Sequence, residues 1–263
     1  MLSYSDTNSN KPTLLFLHGL SLNKKFWEST IEHLSNDYRC IALDLPGHGE
    51  SRSSVTNGSM SAYAAAVREV IEKLNLQNVT MVGHSMGGQI SIILALQMPS
   101  VISKLVLVCA AGIETFTPDE ATKLKTATRA IYSNPLSEDV LHRTFAHTRE
   151  EIKHLLMHEH VVQQKENFQQ LSSLIISSVE GMLNEPVFHF LNTITQPTLC
   201  LYGVLDTAIP NRWLHPHSNV GQLLQNAKQV IPTCTTSLFP LSGHYLPVDQ
   251  PAELGKAIGS FDK

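Results

Sequence analysis

Short apolar runs and stretches of helical periodicity alternate along most of the chain. This alternation is expected of a parallel sheet that is covered by helices on both faces. We therefore assign the chain to the α/β class, with a mostly parallel sheet. Strands are predicted at residues 13–17, 39–43, 79–82, 104–108, 197–202 and 236–239, and helices at 24–34, 61–74, 89–98 and 251–258.

A long stretch of purely helical periodicity interrupts this alternation in the middle of the chain. Thr117 precedes a proline and has Glu120 three positions later, which is the pattern of a helix N-terminus, and a second capping box begins at Thr148. The helices are amphipathic and need an apolar surface to cover. Ligands of open α/β sheets bind outside the carboxyl ends of the strands, so we expect the helices to form a lid there. The predicted organisation is a core of residues 1–112 and 195–263, with a helical cap or lid of residues 113–194.

Composition and charge exclude several classes of protein. Hydrophobic residues make up 42% and charged residues 16% of the 263 residues, as in globular chains with a large core. The formal net charge of −4 gives no basic footprint for nucleic acid, and no apolar run is long enough to span a membrane. The polar amino-terminal residues lack the layout of a signal peptide, so we expect a cytoplasmic location. The four cysteines show no C-x-x-C spacing and are interpreted as reduced packing residues, while the oligomeric state is not readable from the chain.

A glycine-flanked serine stands between an apolar strand and a helix. Gly83, Ser85 and Gly87 match the G-x-S-x-G pattern of a nucleophile elbow. A serine at so tight a turn adopts strained backbone angles, and the residues two positions away must be small to let strand and helix pass closely. The turn lifts the hydroxyl out of the sheet, and the N–H of Met86 at the helix N-terminus can hold a developing oxyanion. Alone, the pattern also fits an ordinary strand-to-helix connection, so its meaning depends on the other residues of the site.

Two further residues complete a candidate catalytic triad. Asp206 and His244 each follow a predicted strand, which places nucleophile, acid and base in that order along the chain. A serine hydroxyl is a poor nucleophile at neutral pH, so His244 would take the proton from Ser85 and return it to the leaving group. Asp206 would fix the tautomer of the imidazole and stabilise the imidazolium.

Other residues compete for these roles or suggest a different site. Asp44 and Glu114 also follow strands and are the weaker candidates for the acid, and the side chain of His84 is expected to point into the fold. His154 and His158 lie four positions apart and could bind a metal as a pair on one helix face. There is no glutamate at H-E-x-x-H spacing and no cysteine beside them, and solvent-facing histidines explain the same residues. We expect no metal and no organic cofactor. The same region also contains His142, His147 and His160.

These motifs resemble the α/β-hydrolase superfamily, and in particular its lidded serine esterase-like branch. The residues that carry the resemblance, over nearly the whole chain, are His18-Gly19, the loop 44–51, the elbow 83–87, Asp206 and Gly243-His244. In that family the residue after the histidine-glycine pair and the residue after the nucleophile supply the oxyanion hole. The resemblance therefore implies that the backbone N–H groups of Leu20 and Met86 form it.

Departures from the patterns of related families disfavour some of the reactions known in the superfamily. Ser85 stands where haloalkane dehalogenases and epoxide hydrolases use aspartate. The H-G-G-P-G loop of proline iminopeptidases is absent, as is the glycine- and proline-rich loop of many meta-cleavage C–C hydrolases. The edge strands that usually precede the first core strand are expected to be shortened or missing. Because 37 residues separate Asp206 from His244, the segment 211–235 could form an excursion near the site.

Together these features predict an acyl hydrolase that works through an acyl-serine intermediate. A carboxylic ester of a small, apolar acyl or aryl substrate is the favoured substrate. C–C bond, lactone and thioester hydrolysis, and cofactor-free perhydrolysis, stay open because fold and triad do not decide among them. A small-molecule receptor with an α/β-hydrolase fold is the alternative from another functional class. Apolar residues that could contact the substrate, or pack the lid onto the core, are Ile113, Phe116, Met157, Phe188 and Phe190.

Overall fold

The computed structural model of the protein describes residues 1–53, 57–137, 148 and 150–262, without the side chains of residues 151, 152, 154–160 and 163. One sheet of seven strands runs through this part of the chain. Its strands are β1 (Tyr4–Asp6), β2 (Thr13–Leu17), β3 (Arg39–Leu43), β4 (Val79–His84), β5 (Ile102–Val108), β6 (Thr198–Gly203) and β7 (Cys234–Phe239). Their spatial order is β1-β3-β2-β4-β5-β6-β7.

The sheet is parallel except at one edge, where β1 pairs antiparallel with β3. This confirms the predicted α/β class with a mostly parallel sheet, and all six predicted strands are present. The edge strand β1 is only three residues long, in line with the expected shortening. β5 and β7 each begin two residues earlier than predicted, because pairing with the neighbouring strand extends beyond the apolar run.

Helices cover both faces of the sheet. They are α1 (Glu28–Glu32), α2 (Met60–Lys73), α3 (Met86–Gln97), α4 (Pro118–Ile131), α5 (Glu150–Asn184), α6 (Val220–Val230), α7 (Leu246–Asp249) and α8 (Pro251–Asp262). The predicted helix at 24–34 is instead a 3₁₀ turn, Lys24–Trp27, followed by the short α1. Further 3₁₀ turns span Gly49–Ser51 and Phe188–Thr193.

The strand that precedes Ser85 lies at the centre of the core. Every residue of β4 is buried, whereas the edge strand β7 is exposed or only partly buried except at Phe239. A central strand of a parallel sheet is covered on both faces, which explains its continuous apolar sequence. β4 therefore gives the turn at Ser85 a rigid base.

The predicted capping box at Thr117 is present. The Thr117 hydroxyl accepts from the Glu120 N–H at 3.3 Å, and the Glu120 carboxylate accepts from the Thr117 N–H at 2.8 Å.

Hydrogen bonds tie the helical block between β5 and β6 to the core. The Glu185 carboxylate, just past α5, accepts the N–H groups of Met60 and Ser61 at 3.1 and 2.9 Å. These donors lie at the N-terminus of α2, where a negative charge is favourable.

The long helix α5 consists of two helices, because Asn167 has non-helical angles (φ −158°, ψ 73°). The second predicted capping box includes residue 149, which lies outside the described residues. The division into a core of residues 1–112 and 195–263 and a cap of residues 113–194 stays a prediction. No described helix combines the length and apolar character needed to cross a membrane.

Candidate active site

Ser85 occupies the turn between the central strand β4 and helix α3. Its backbone angles are φ 51° and ψ −120°. A positive φ is uncommon for a residue with a Cβ and is found where the surrounding structure enforces it. The strain predicted for the serine of the elbow is therefore present at this position.

The glycines on either side of Ser85 leave no room for a side chain. A Cβ on Gly83 would lie 2.4 Å from the carbonyl oxygen of Gly87, and a Cβ on Gly87 would lie 2.4 Å from that of Leu17. Real Cβ atoms do not approach a carbonyl oxygen so closely. Small residues are thus required here for strand and helix to pass, as the sequence pattern predicted.

The structure brings Ser85, His244 and Asp206 together at the carboxyl ends of three strands. The Ser85 hydroxyl donates to His244 Nε2 at 3.1 Å, and His244 Nδ1 donates to Asp206 Oδ2 at 2.8 Å. Asp206 is fully buried, and its other oxygen accepts from the N–H groups of Ala208 and Ile209 at 2.8 and 3.0 Å. An ionised carboxylate only accepts hydrogen bonds, so the proton of this pair sits on Nδ1 and leaves Nε2 free to accept from Ser85. This geometry can move a proton from Oγ to the imidazole.

His84 supports the backbone of His244 from inside the fold. Its Nε2 donates to the carbonyl oxygen of His244 at 2.8 Å, and the two rings lie 4.9 Å apart. Burial, together with the neighbouring His244, holds the pKa of His84 well below its usual range. His84 is therefore neutral, and its side chain points inward as predicted.

The two residues predicted to form the oxyanion hole, Met86 and Leu20, follow Ser85 and Gly19 in the chain. Met86 is the first residue of α3, where helix N–H groups have no partner within the helix. On the other side, Gly19 packs so tightly that a Cβ there would lie 3.0 Å from the Cβ of Ser85. Leu20 follows Gly19 directly. The oxyanion-hole role of Leu20 and Met86 stays a prediction.

A cavity of about 360 Å³ opens beside Ser85 and His244. Its volume falls in the range of small-molecule binding sites. Among the lining residues in the described ranges, none is lysine or arginine. The apolar part of the lining consists of Ala111, Phe116, Leu124, Val179, Met182, Leu183, Pro186, Val187, Phe188, Ala208 and Ile209.

The apolar residues named from the sequence, expected either to contact the substrate or to pack the lid onto the core, do not all share one role. Phe116 and Phe188 line the cavity. Ile113 is buried in the core, the packing role that was the other expectation, and Phe190 is 55% exposed and does not line the cavity. The side chain of Met157 lies outside the described part of the chain.

The two rival carboxylates have other partners. Asp44 accepts from Lys24 Nζ at 2.7 Å and from the N–H of Glu50 at 2.9 Å, so it holds the glycine-rich loop together. Glu114 lines the cavity but does not contact His244. Instead, Glu114 Oε1 lies 2.5 Å from Nδ1 of His215, and the carboxylate accepts the N–H of Asn211 at 2.8 Å.

His215 belongs to the long segment between Asp206 and β7. Its Nε2 lies 3.3 Å from Glu120 Oε1, and its ring stacks on Phe116. Burial lowers the pKa of His215, but the hydrogen bond to Glu114 and the charges of Glu114 and Glu120 outweigh it and raise the pKa overall. The predicted excursion therefore reaches the edge of the cavity. Sequence reasoning missed His215, because a lone loop histidine carries no pattern.

One group of described side chains has the spacing of a metal site. Ligand atoms of Cys109, Asp206 and His244 all lie within 4.8 Å of one another. Metals bind the thiolate, yet burial, aided by the nearby Asp206, raises the pKa of Cys109 well above its usual range. The donor set therefore suits a metal poorly. Of the histidines considered from the sequence, His142 and His147 and the side chains of His154, His158 and His160 lie outside the described residues.

Comparison with known proteins gives relatives of several activities. The chain is 36% identical over 121 residues to a monoacylglycerol lipase of Homo sapiens, covering 45% of this chain and 36% of that protein. It spans only about a third of the length of that relative. It is also 29% identical over 217 residues to a 2-hydroxy-6-oxononadienedioate/2-hydroxy-6-oxononatrienedioate hydrolase of Paraburkholderia phymatum, covering 79% of this chain and 75% of that protein.

Solved structures share the fold. An esterase from Exiguobacterium antarcticum superposes with a TM-score of 0.79 at 24% identity, covering 99% of this chain and 94% of that chain. A family model described as alpha/beta hydrolase fold matches residues 12–234. That match spans most of the sequence and both sides of the helical block, and the chain therefore belongs to the alpha/beta hydrolase fold family.

Proposed function

We propose that the protein is a serine hydrolase that cleaves carboxylic esters of small, apolar acyl or aryl substrates through an acyl-serine intermediate. The observation that supports this most directly is the hydrogen-bonded series Ser85–His244–Asp206 beside an apolar cavity. This chemistry requires a nucleophile within hydrogen-bond distance of a base, and a buried carboxylate that orients the base.

In the first half of the proposed reaction, Ser85 Oγ attacks the ester carbonyl carbon. His244 Nε2 takes the hydroxyl proton, and Asp206 stabilises the resulting imidazolium. The N–H groups of Leu20 and Met86 hold the negative charge that develops on the carbonyl oxygen, and each such donor typically contributes roughly a hundred- to thousandfold in rate. His244 then passes the proton to the departing alcohol.

In the second half, water attacks the acyl-serine. His244 accepts a proton from the water as it adds, and returns a proton to Ser85 Oγ as the acid leaves. The chain supplies the nucleophile, the base and the proposed donors to the oxyanion, so the proposed reaction requires no metal and no organic cofactor. The substrate is a small molecule, and the proposal includes the cytoplasmic location expected from the sequence.

Residues 113–194 would act as the cap of this site. Cavity-lining residues come from α4, from the end of α5 and from the turn after it, including Leu124, Val179 and Phe188. Gln89 of α3 donates to the carbonyl oxygens of Met182 and Glu185 at 3.0 and 2.8 Å. These bonds support a cap that is docked next to the nucleophile.

A second candidate function is hydrolysis of a C–C bond with the same residues. The Paraburkholderia phymatum relative, a hydrolase of 2-hydroxy-6-oxononadienedioate and 2-hydroxy-6-oxononatrienedioate, matches over most of both chains. The attacking and proton-transfer groups would be the same in either reaction.

Hydrolysis of p-nitrophenyl butyrate and labelling by a fluorophosphonate test the proposal. We expect the purified protein to do both, and Ser85→Ala to abolish both because the nucleophile is lost. Ser133→Ala is the matched control, since Ser133 is exposed and does not line the cavity. A protein that binds esters without turning any over would refute the enzymatic proposal and favour a receptor.

A further inference from the structure

The cavity beside Ser85 is lined by a carboxylate that the proposed reaction does not use. Glu114 follows β5 and lines the same cavity as Ser85 and His244. Its side chain is 9% exposed. Its oxygens are held by the N–H of Asn211 and by His215 Nδ1, so the carboxylate has a fixed position in the wall.

The cluster that contains Glu114 keeps a negative charge. His215 lies between Glu114 and Glu120, at 2.5 and 3.3 Å. Even when His215 is protonated, two carboxylates and one imidazolium leave one net negative charge. The other titratable residues that line the cavity in the described ranges are His189, which is exposed, and His244.

A negatively charged substrate would meet a cluster of net negative charge in the cavity wall. Lysine and arginine are missing from the described lining. In a partly buried site, like charges are screened far less than in water. The repulsion between two like charges about 10 Å apart, at an effective dielectric constant of about 20, lowers a rate by roughly tenfold.

We propose that Glu114 is a specificity-determining residue that restricts this site to esters without a negative charge. The inference rests on the proposed ester hydrolysis and narrows its substrate class to neutral or cationic compounds. It also weighs against the C–C hydrolase candidate, because the dioate substrates in the name of that relative carry two carboxylates.

Two pairs of matched esters test the selection at pH 8, where an exposed histidine is neutral. The first pair places the charge on the acyl side, with p-nitrophenyl butyrate against mono-p-nitrophenyl glutarate. The second places it on the alcohol side, with phenyl butyrate against 4-carboxyphenyl butyrate. We expect the intact protein to prefer the neutral ester in at least one pair by at least about tenfold in kcat/KM.

Glu114→Gln keeps the shape of the side chain and removes its negative charge. We expect it to reduce that preference about tenfold, measured as the ratio of the two kcat/KM values. Glu72→Gln is the matched control, because it removes the same charge from an exposed residue that belongs neither to this cluster nor to the cavity lining, and it should leave the ratio unchanged. The ratio is insensitive to a general loss of folded protein, which a purely structural role of Glu114 would cause.

Three results would overturn the inference. Equal rates for neutral and anionic esters in the intact protein refute it without any variant. A ratio in Glu114→Gln that stays within twofold of the intact protein assigns Glu114 a structural role only, with ester hydrolysis retained. Failure of the intact protein to cleave either neutral ester removes the proposed function itself, and the inference with it.

Discussion

Replacement of Asp206 by asparagine tests the proposed proton transfer at the most deeply buried residue of the triad. Oδ1 of Asp206 accepts two backbone N–H groups, those of Ala208 and Ile209. An asparagine must keep its oxygen on that side, since its NH₂ group would otherwise face two donors. The NH₂ group then points at Nδ1 of His244, which must become an acceptor. The proton moves to Nε2, and the imidazole can no longer accept from Ser85.

The expected loss is large because the wrong tautomer removes the base altogether. The corresponding substitution in serine proteases lowers kcat by roughly 10⁴-fold, which corresponds to about 5 kcal/mol in the activation free energy. For Asp206→Asn we expect a fall of that order in kcat for p-nitrophenyl butyrate, with little change in KM. The rate of fluorophosphonate labelling should fall in parallel, because both reactions need an activated Ser85.

Circular dichroism and a thermal melt establish that the variant is folded. Asp37→Asn serves as the matched control, because Asp37 is exposed and does not line the cavity. A kcat for Asp206→Asn within tenfold of the intact protein, in a folded variant, would refute the assignment of Asp206 as the orienting acid.

Two other predictions concern buried histidines. His84→Phe keeps an aromatic ring but removes the donor to the carbonyl oxygen of His244. We expect kcat to fall about tenfold with KM unchanged, as for the loss of one hydrogen bond. Steady-state kinetics measure both constants, and an unchanged kcat would contradict the prediction. Burial lowers the pKa of His48 from 6.5 to about 4. Below pH 6.5 the unfolded chain binds a proton that the folded protein does not, so the free energy of unfolding should fall between pH 6.5 and 4, by about 1.4 kcal/mol per pH unit for this residue. Urea denaturation at several pH values measures the slope, which should be smaller in His48→Gln; an equal slope in both proteins would contradict the reasoning.

Local sequence patterns were sufficient to predict the strands and the turn at Ser85. A buried parallel strand is a continuous apolar run, and such runs were recognised without knowledge of the fold. Gly83 and Gly87 are required by contacts within one strand-turn-helix unit and with the adjacent strand β2. The predicted helix at 24–34 was wrong in type because residues 24–27 form a 3₁₀ turn, which periodicity does not distinguish from the start of an α-helix.

The lining and charge of the cavity were decided only by the tertiary structure. Glu114 and His215 are 101 positions apart, and His84 reaches the carbonyl oxygen of a residue 160 positions away. Such pairs depend on how loops from different strands meet at one edge of the sheet, and neither partner carries a local pattern. The sequence by itself determined the α/β class, the strands and the residue types available for chemistry, since these follow from short-range periodicity and turn geometry. Asp206 was already the favoured partner of His244 from its place after a strand, but the position of Glu114 in the cavity wall and its bond to His215 followed from long-range packing, because only neighbours in space decide them.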